Sequence, residues 1–240
     1  MELIPLPTLP MDPSHFRLPA EHYGASEGGS ASREDGGLGS QLPVTLASSI
    51  AMPVQWLAAR VLFYPSLLYN VLMRKVTDRN WYDRIDDTVL LGALPFRGMS
   101  DTLVNDENVR GVITMNEEYE TKLLCNSAEQ WQALGVEQLR LSTVDFTGVP
   151  TLENLQRGVA FLHKHQHDGN SVYIHCKAGR SRSATMVAAY LIERHKWTPD
   201  YAEDFIARIR PHIIIRESQH QVLERFYNSV ANVKAPESGG

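Results

Sequence analysis

Cysteine is scarce in this chain. Only Cys125 and Cys176 occur among 240 residues, so at most one bridge can form, which excludes a disulfide-held scaffold and points to a reduced intracellular protein. No cluster of cysteines and histidines has zinc-ligand spacing, and the sequence calls for no metal and no cofactor. A large excess of one charge is missing too. Of the formal net charge of −5, most comes from residues 1–51, where six acids face two arginines; the remainder, with 21 cations against 22 acids, is nearly neutral. Nucleic-acid binding therefore has no support in charge or motif, and any basic patch must be local. No internal repeat is present. Finally, acids are absent from Gly36 to Thr77, where Arg60, Arg74 and Lys75 punctuate the apolar run "VQWLAARVLFYPSLLYNVLMRKV".

That acid-free composition suits an organelle transit segment or a membrane anchor, and translation from Met52 would place it at a terminus. Arg60, Pro65 and Asn70 interrupt the apolar stretch, which favours an interfacial anchor over a single spanning helix; a helix packed on the domain is the alternative. Residues 1–40, rich in Pro, Gly and Ser, are expected to form a disordered extension, 41–77 the targeting and anchoring segment, 78–232 the catalytic domain, and 233–240 a flexible tail.

From about Asp78 the pattern becomes regular. "TVLLGAL" (Thr88–Leu94), "GVITM" (Gly111–Met115), "VEQLRL" (Val136–Leu141) and "SVYIHC" (Ser171–Cys176) read as strands. Leu152, Leu155, Val159 and Leu162 recur at helical spacing, a second helix is expected from Arg182 to His195, and a third from Thr198 as N-cap with Pro199 in its first turn. Strands separated by helices predict an α/β fold with a mostly parallel sheet covered on both faces.

The stretch "VYIHCKAGRSRSAT" then sits at the carboxyl end of a buried strand, where open α/β sheets place their ligands. Cys176 and Arg182 are separated by five residues, enough for the backbone N–H groups to curl inward as an anion nest, with the positive end of the following helix added. Ala178 and Gly179 keep the curl sterically open. A cysteine in that setting is held as a thiolate, and Arg182 offers a planar fork to two phosphate oxygens. The chemistry this implies is in-line attack of Cys176 on phosphorus, giving a phosphocysteine intermediate. Ser183 is placed to hydrogen-bond the sulfur and help it leave, and His175 to order the loop. Cys125, with no such cradle, reads as a packed structural thiol, and Asp83, Asp86, Asp87, Asp101 and Asp106 as solvated surface acids.

The flanks His175, Cys176, Arg182 and Ser183 resemble the His-Cys-x5-Arg-Ser/Thr signature of the protein tyrosine phosphatase superfamily in its compact dual-specificity branch, over about Trp81 to Ala231. The resemblance implies that branch's fold, an α/β domain whose central, mostly parallel sheet has about four to five strands flanked by helices. It also implies a general acid upstream of the nucleophile, for which "STVDFTGVP" offers Asp145. "ARVLFYPSLLYNVL", "WYDRIDDTVLLGALP", "NVRGVITMNEEYET" and "LGVEQLRLSTVDFTG" are similar to the mitochondrial lipid phosphatases within the superfamily, which act on phosphatidylglycerophosphate on the way to cardiolipin. That likeness implies an anionic phospholipid substrate, the matrix side of the mitochondrial inner membrane as the working surface, and a monomer. The cradle residues Lys177, Ala178, Gly179, Arg180 and Ser181 would bind substrate, with Lys177 and Arg180 supplying more positive charge than one phosphate needs. The loop of Glu117, Glu118, Tyr119 and Glu120 would border the site, its carboxylates holding arginines or meeting glycerol hydroxyls. A dual-specificity phosphatase acting on phosphotyrosine, phosphoserine or phosphothreonine would use the same Cys176, Asp145 and Arg182 and is the alternative; a catalytically dead binding module would lack one of the three.

Overall fold

The computed structural model describes residues 62–73, 76–77 and 79–232. The expected extension over 1–40, most of the 41–77 segment and the tail over 233–240 lie outside the described residues. Helix α1 covers 62–73. A five-stranded sheet comes next, built from β1 (Tyr82–Arg84), β2 (Val89–Gly92), β3 (Val109–Thr114), β4 (Glu137–Arg140) and β5 (Ser171–His175), in the spatial order β1-β2-β5-β3-β4. All pairings are parallel except β1 with β2, so the expected mostly parallel sheet is what forms.

Strand β5 is central, with every residue buried, and this explains its unbroken apolar reading. Alternation along the strands divides the core. Leu91, Ile113, Val172 and Ile174 face one side, where α4 (Leu152–His167), α5 (Arg182–His195), α6 (Pro199–Ile209) and α7 (Glu217–Asn232) pack. Leu90, Val112 and Tyr173 face the other, against Trp131 of α3 (Ala128–Ala133) and Leu103 of a short π-helical turn, Thr102–Asp106. Between β3 and α3 lies the single turn α2 (Glu118–Thr121).

Local signals explain the helix bounds. Thr151 and Thr198 cap α4 and α6 by accepting from the backbone N–H groups of Asn154 and Tyr201, and Pro199 opens α6. Helix α5 packs closely on α4, where a Cβ in place of Gly158 would strike the Met186 side chain; it ends at Lys196, in the left-handed conformation with φ 59°. The surface acids are not all idle. Asp86 accepts from the N–H groups of Thr88 and Val89 at 2.9 and 2.7 Å and pairs with Arg194, while Asp83 pairs with the buried Arg210 at 2.5 Å, which corrects their reading as merely solvated.

Helix α1 is docked on the domain. Phe63, Leu67 and Val71, four residues apart, pack with Trp81, Ala93, Leu94 and Cys125 in a third cluster. Burial there pushes the Cys125 thiol up to about 12, in keeping with a packed structural role. Because Phe63 is completely buried, Phe63→Ala should cost about 3–5 kcal/mol of stability, measured by denaturant unfolding. A loss below about 1 kcal/mol would mean that α1 is not part of the folded unit.

Candidate active site

The nucleophile loop, residues 176–181, joins the carboxyl end of β5 to the first turn of α5, so the positive helix end and the loop N–H groups converge on one point. Gly179 has φ 65°, and a Cβ there would collide with the backbone of Gly92, so two independent constraints require glycine. Arg210 braces the loop from behind: its Nε donates to the Gly179 carbonyl at 2.8 Å and Nη2 to that of Ala178 at 3.3 Å, turning those carbonyls away from the centre.

Cys176 is buried, which by itself would raise its pKa. The charge of Arg182, the Ser183 hydroxyl at 3.2 Å and the backbone N–H groups of Ser183 and Arg180 outweigh burial and hold the thiol below its ordinary value. His175 is driven down to about 3, chiefly by burial, and is neutral at physiological pH; Thr114 Oγ1 on β3 lies 3.0 Å from its Nε2 and fixes the ring at the strand end. The serine thus lies on the sulfur, and the histidine ring is held by β3 at the strand end from which the loop departs.

Arg182 is almost wholly buried and its donors are divided. Nη1 and Nη2 meet Glu120 end-on at 3.0 and 3.1 Å, Nη1 also donates to the Thr143 carbonyl at 2.8 Å, and Asp145 Oδ1 lies 3.0 Å from Nη2. The edge formed by Nε and Nη2 is thus the one left for a phosphate, and Asp145 stands at it. Burial pushes Glu120 up, against Arg182, while Cys176, Glu120 and Asp145 outweigh burial and drive the arginine further upward. We assign Glu120 as the carboxylate, because an end-on pair of donors at those distances needs two acceptor oxygens. Asn116 adds a donor to Glu120.

Asp145 sits in the loop between β4 and α4, whose tight turn is closed by Thr147 N–H on the Asp145 carbonyl and Gly148 N–H on that of Val144. Phe146 beside it takes φ 63°, a costly conformation for a bulky residue. The second Asp145 oxygen is held by Lys177, which also donates to Ser66 Oγ of α1 at 2.9 Å and lies 4.0 Å from the centre of the Phe146 ring. Lys177 is therefore a buried tie between the nucleophile loop, the acid loop and α1.

A cleft of about 240 Å³ opens above Cys176, lined by Asp145, Lys177, Ala178, Arg180, Ser181 and Arg182, and also by Ser66, Tyr69 and Asn70 of α1 and by Phe146, Ile214 and Arg216. Sequence reasoning misses the last six; their only signal is a mixed apolar and basic character that many surfaces share. Of the loop 117–120, only Glu120 reaches the reacting groups. Glu118 is exposed, and Tyr119 packs against Phe63 of α1 with ring centres 6.0 Å apart. A larger depression of about 750 Å³, lined by Thr77, Asn80, Trp81 and Gly98 among others, holds no nucleophile. Among the described residues no group of acidic, histidine or cysteine side chains is placed to hold a metal.

This geometry can be tested at two residues. Ser183→Ala should shift the acidic limb of the pH–rate profile to higher pH, because removing a donor to the thiolate lets the Cys176 pKa rise; an unmoved limb would contradict the assignment. Glu120→Gln turns amide hydrogens toward a buried guanidinium and should lower kcat/KM by about 10²–10³ and stability by about 3 kcal/mol, read by phosphate release and by denaturant unfolding.

Comparison with known proteins places the chain in a family. The family described as dual specificity phosphatase, catalytic domain, matches residues 103–229. The chain is 64% identical over 176 residues, 72% of its length, to phosphatidylglycerophosphatase and protein-tyrosine phosphatase 1 of Rattus norvegicus, covering 91% of that protein. It is 40% identical over 168 residues to phosphatidylglycerophosphate phosphatase PTPMT2 of Arabidopsis thaliana, covering 70% of this chain and 72% of that one. A crystal structure of PTPMT1 in complex with PI(5)P superposes with a TM-score of 0.64 at 63% identity, over 65% of this chain and 100% of that one. A likeness that runs through fold and most of the sequence leaves one classification: the chain belongs to the dual specificity phosphatase family and is a phosphoric monoester hydrolase.

Proposed function

We propose that this protein removes the terminal phosphate of phosphatidylglycerophosphate to give phosphatidylglycerol, a step toward cardiolipin, on the matrix side of the mitochondrial inner membrane. The observation that carries the substrate is the 64% identity, across 72% of the chain, to relatives named for that lipid. The side chains of Arg180 in the cradle and of Arg216 across the cleft support it, since neither has a carboxylate partner among the described residues. In the same reading, residues 78–232 are the catalytic domain, 41–77 the targeting and anchoring segment, 1–40 and 233–240 appendages, and the enzyme acts as a monomer. Of the loop 117–120, Glu120 positions Arg182, and the other three border the approach to the site.

The reaction runs in two steps. The phosphate takes the Nε and Nη2 edge of Arg182, displacing Asp145 toward the leaving group. Cys176 Sγ attacks phosphorus in line as the bond from phosphorus to the lipid oxygen breaks, and protonated Asp145 gives its proton to that oxygen. Water then attacks the phosphocysteine, losing a proton to Asp145, and the sulfur leaves as a thiolate stabilised by Ser183 and Arg182. Lys177, tied to Asp145, steadies the acid loop; Ala178, Gly179, Arg180 and Ser181 supply the N–H groups around the phosphate.

A second reading, dephosphorylation of proteins, is kept by the other half of the relatives' name, protein-tyrosine phosphatase. Phosphate release from phosphatidylglycerophosphate, a phosphoinositide and a phosphotyrosine peptide separates the two, with the first expected to have the highest kcat/KM. Preference for the peptide would reverse the assignment. Asp145→Ala should slow the lipid by roughly 10²–10⁴ and an aryl phosphate much less, because a good leaving group needs little protonation. Equal losses would move the acid elsewhere.

A further inference from the structure

Helix α1 is apolar on two opposite faces, and only one of them is used. Phe63, Leu67 and Val71 pack inward. On the other side Leu62, Pro65, Leu68, Tyr69 and Leu72 form an outward stripe, with Leu62, Leu68, Tyr69 and Leu72 each more than half exposed and Val76 beyond them 79% exposed. Isolated exposed leucines are ordinary; a continuous stripe of them marks a contact surface. The stripe leads directly to the chemistry, since Tyr69 lines the cleft above Cys176, and the other two exposed apolar side chains of the cleft wall are Phe146 and Ile214.

Charge identifies the occupant. Arg180 and Arg216 line the same cleft, and Arg79 joins Arg180 in a neighbouring depression walled by Asn70 and Met73 of α1. Among the described residues none of these three arginines has an ion pair. A protein partner of mixed surface does not call for a stripe of leucine and tyrosine edged by unpaired guanidinium groups, whereas an anionic bilayer presents acyl chains beneath a layer of negative headgroups. Size agrees. A cleft of about 240 Å³ is below the roughly 300–1,000 Å³ that encloses drug-sized ligands, so a diacyl lipid must keep its chains outside it. Among the described residues no helix is long and apolar enough to cross a membrane.

We infer that the outward stripe of α1, together with Phe146, Ile214 and the arginines Arg79, Arg180 and Arg216, is a docking face that lays the mouth of the active site against an anionic lipid surface. The inference deepens the lipid reading given above and rests on it for its purpose, although the face is testable without turnover.

The test uses the full chain and vesicles of phosphatidylcholine doped with phosphatidylserine, a lipid with no phosphomonoester, so that binding reports the face and not the phosphate cradle. Leu68→Gln with Leu72→Gln should weaken flotation with these vesicles by about tenfold or more while leaving turnover of a soluble aryl phosphate unchanged. Arg79→Gln should reduce only the preference for the anionic vesicles, and that preference should fall with salt. Unaltered vesicle binding in the double variant overturns the inference, as does a wild-type chain that binds neither the phosphatidylserine-doped vesicles nor vesicles of phosphatidylcholine alone. If the double variant instead converts a dimer to a monomer in light scattering with vesicle binding intact, the face joins two copies and the proposal fails. Hydrolysis of short-chain, monomeric phosphatidylglycerophosphate needs no surface; its absence would sink the substrate reading and leave the vesicle result to decide the face on its own.

Discussion

The site depends on one buried cation. Arg182 carries its charge at nearly complete burial, where an unpaired guanidinium would cost several kcal/mol, and the surrounding groups are arranged to offset that cost. Glu120 takes the end of the fork, the Thr143 carbonyl takes a further donor, and Asp145 and the Cys176 sulfur share the remaining field. The same field that satisfies the arginine lowers the pKa of the cysteine. The nucleophile and the phosphate site thus have one electrostatic origin. A carboxylate on a loop of acids beside an anion site looks wrongly signed in the sequence, and it is this pairing that gives it a purpose.

Around that centre the protein builds two braces. Arg210, fixed by Asp83 from the first strand, holds the outer carbonyls of the nucleophile loop, so its inner face keeps N–H groups pointing at the anion. Lys177 binds Asp145 and Ser66, and so ties the acid loop to a helix over a hundred residues upstream of the nucleophile. The segment read as an anchor is in part a wall of the active site. Its packed face belongs to the domain, and its exposed apolar face is the one proposed above to meet a lipid surface.

Much of this is legible in the sequence, for physical reasons. Strands β2, β3 and β5 announce themselves as apolar runs because both faces of a parallel sheet are covered, the half-exposed edge strand β4 is legible only by the alternation around it, and α5 keeps its expected bounds, Arg182 to His195. Cys176, Arg182, Ser183 and His175 are legible because their function rests on local spacing between a strand and a helix. Asp145 emerges only through likeness to a family, since nothing in a turn aspartate reveals that it will meet an arginine from the first turn of α5. Strand β1, with three half-buried or exposed polar residues, has no apolar period to read. Helix α7 escapes a reading by period because Val222, Leu223 and Phe226 are thinly spread among polar residues. The pairs Asp83 with Arg210 and Lys177 with Ser66 are illegible for a simpler reason: their partners lie 127 and 111 residues apart.

The central claim is that Cys176 is a thiolate nucleophile aimed at a phosphorus held by Arg182. The most direct measurement is an acid quench of the Asp145→Ala enzyme during turnover of an aryl phosphate, followed by peptide mass spectrometry. Slowed proton transfer from the second-step water should let the phosphoenzyme accumulate, so the account predicts phosphate on the peptide containing Cys176 and on no other. A quenched enzyme with no phosphopeptide, or with the phosphate on a different residue, would contradict it.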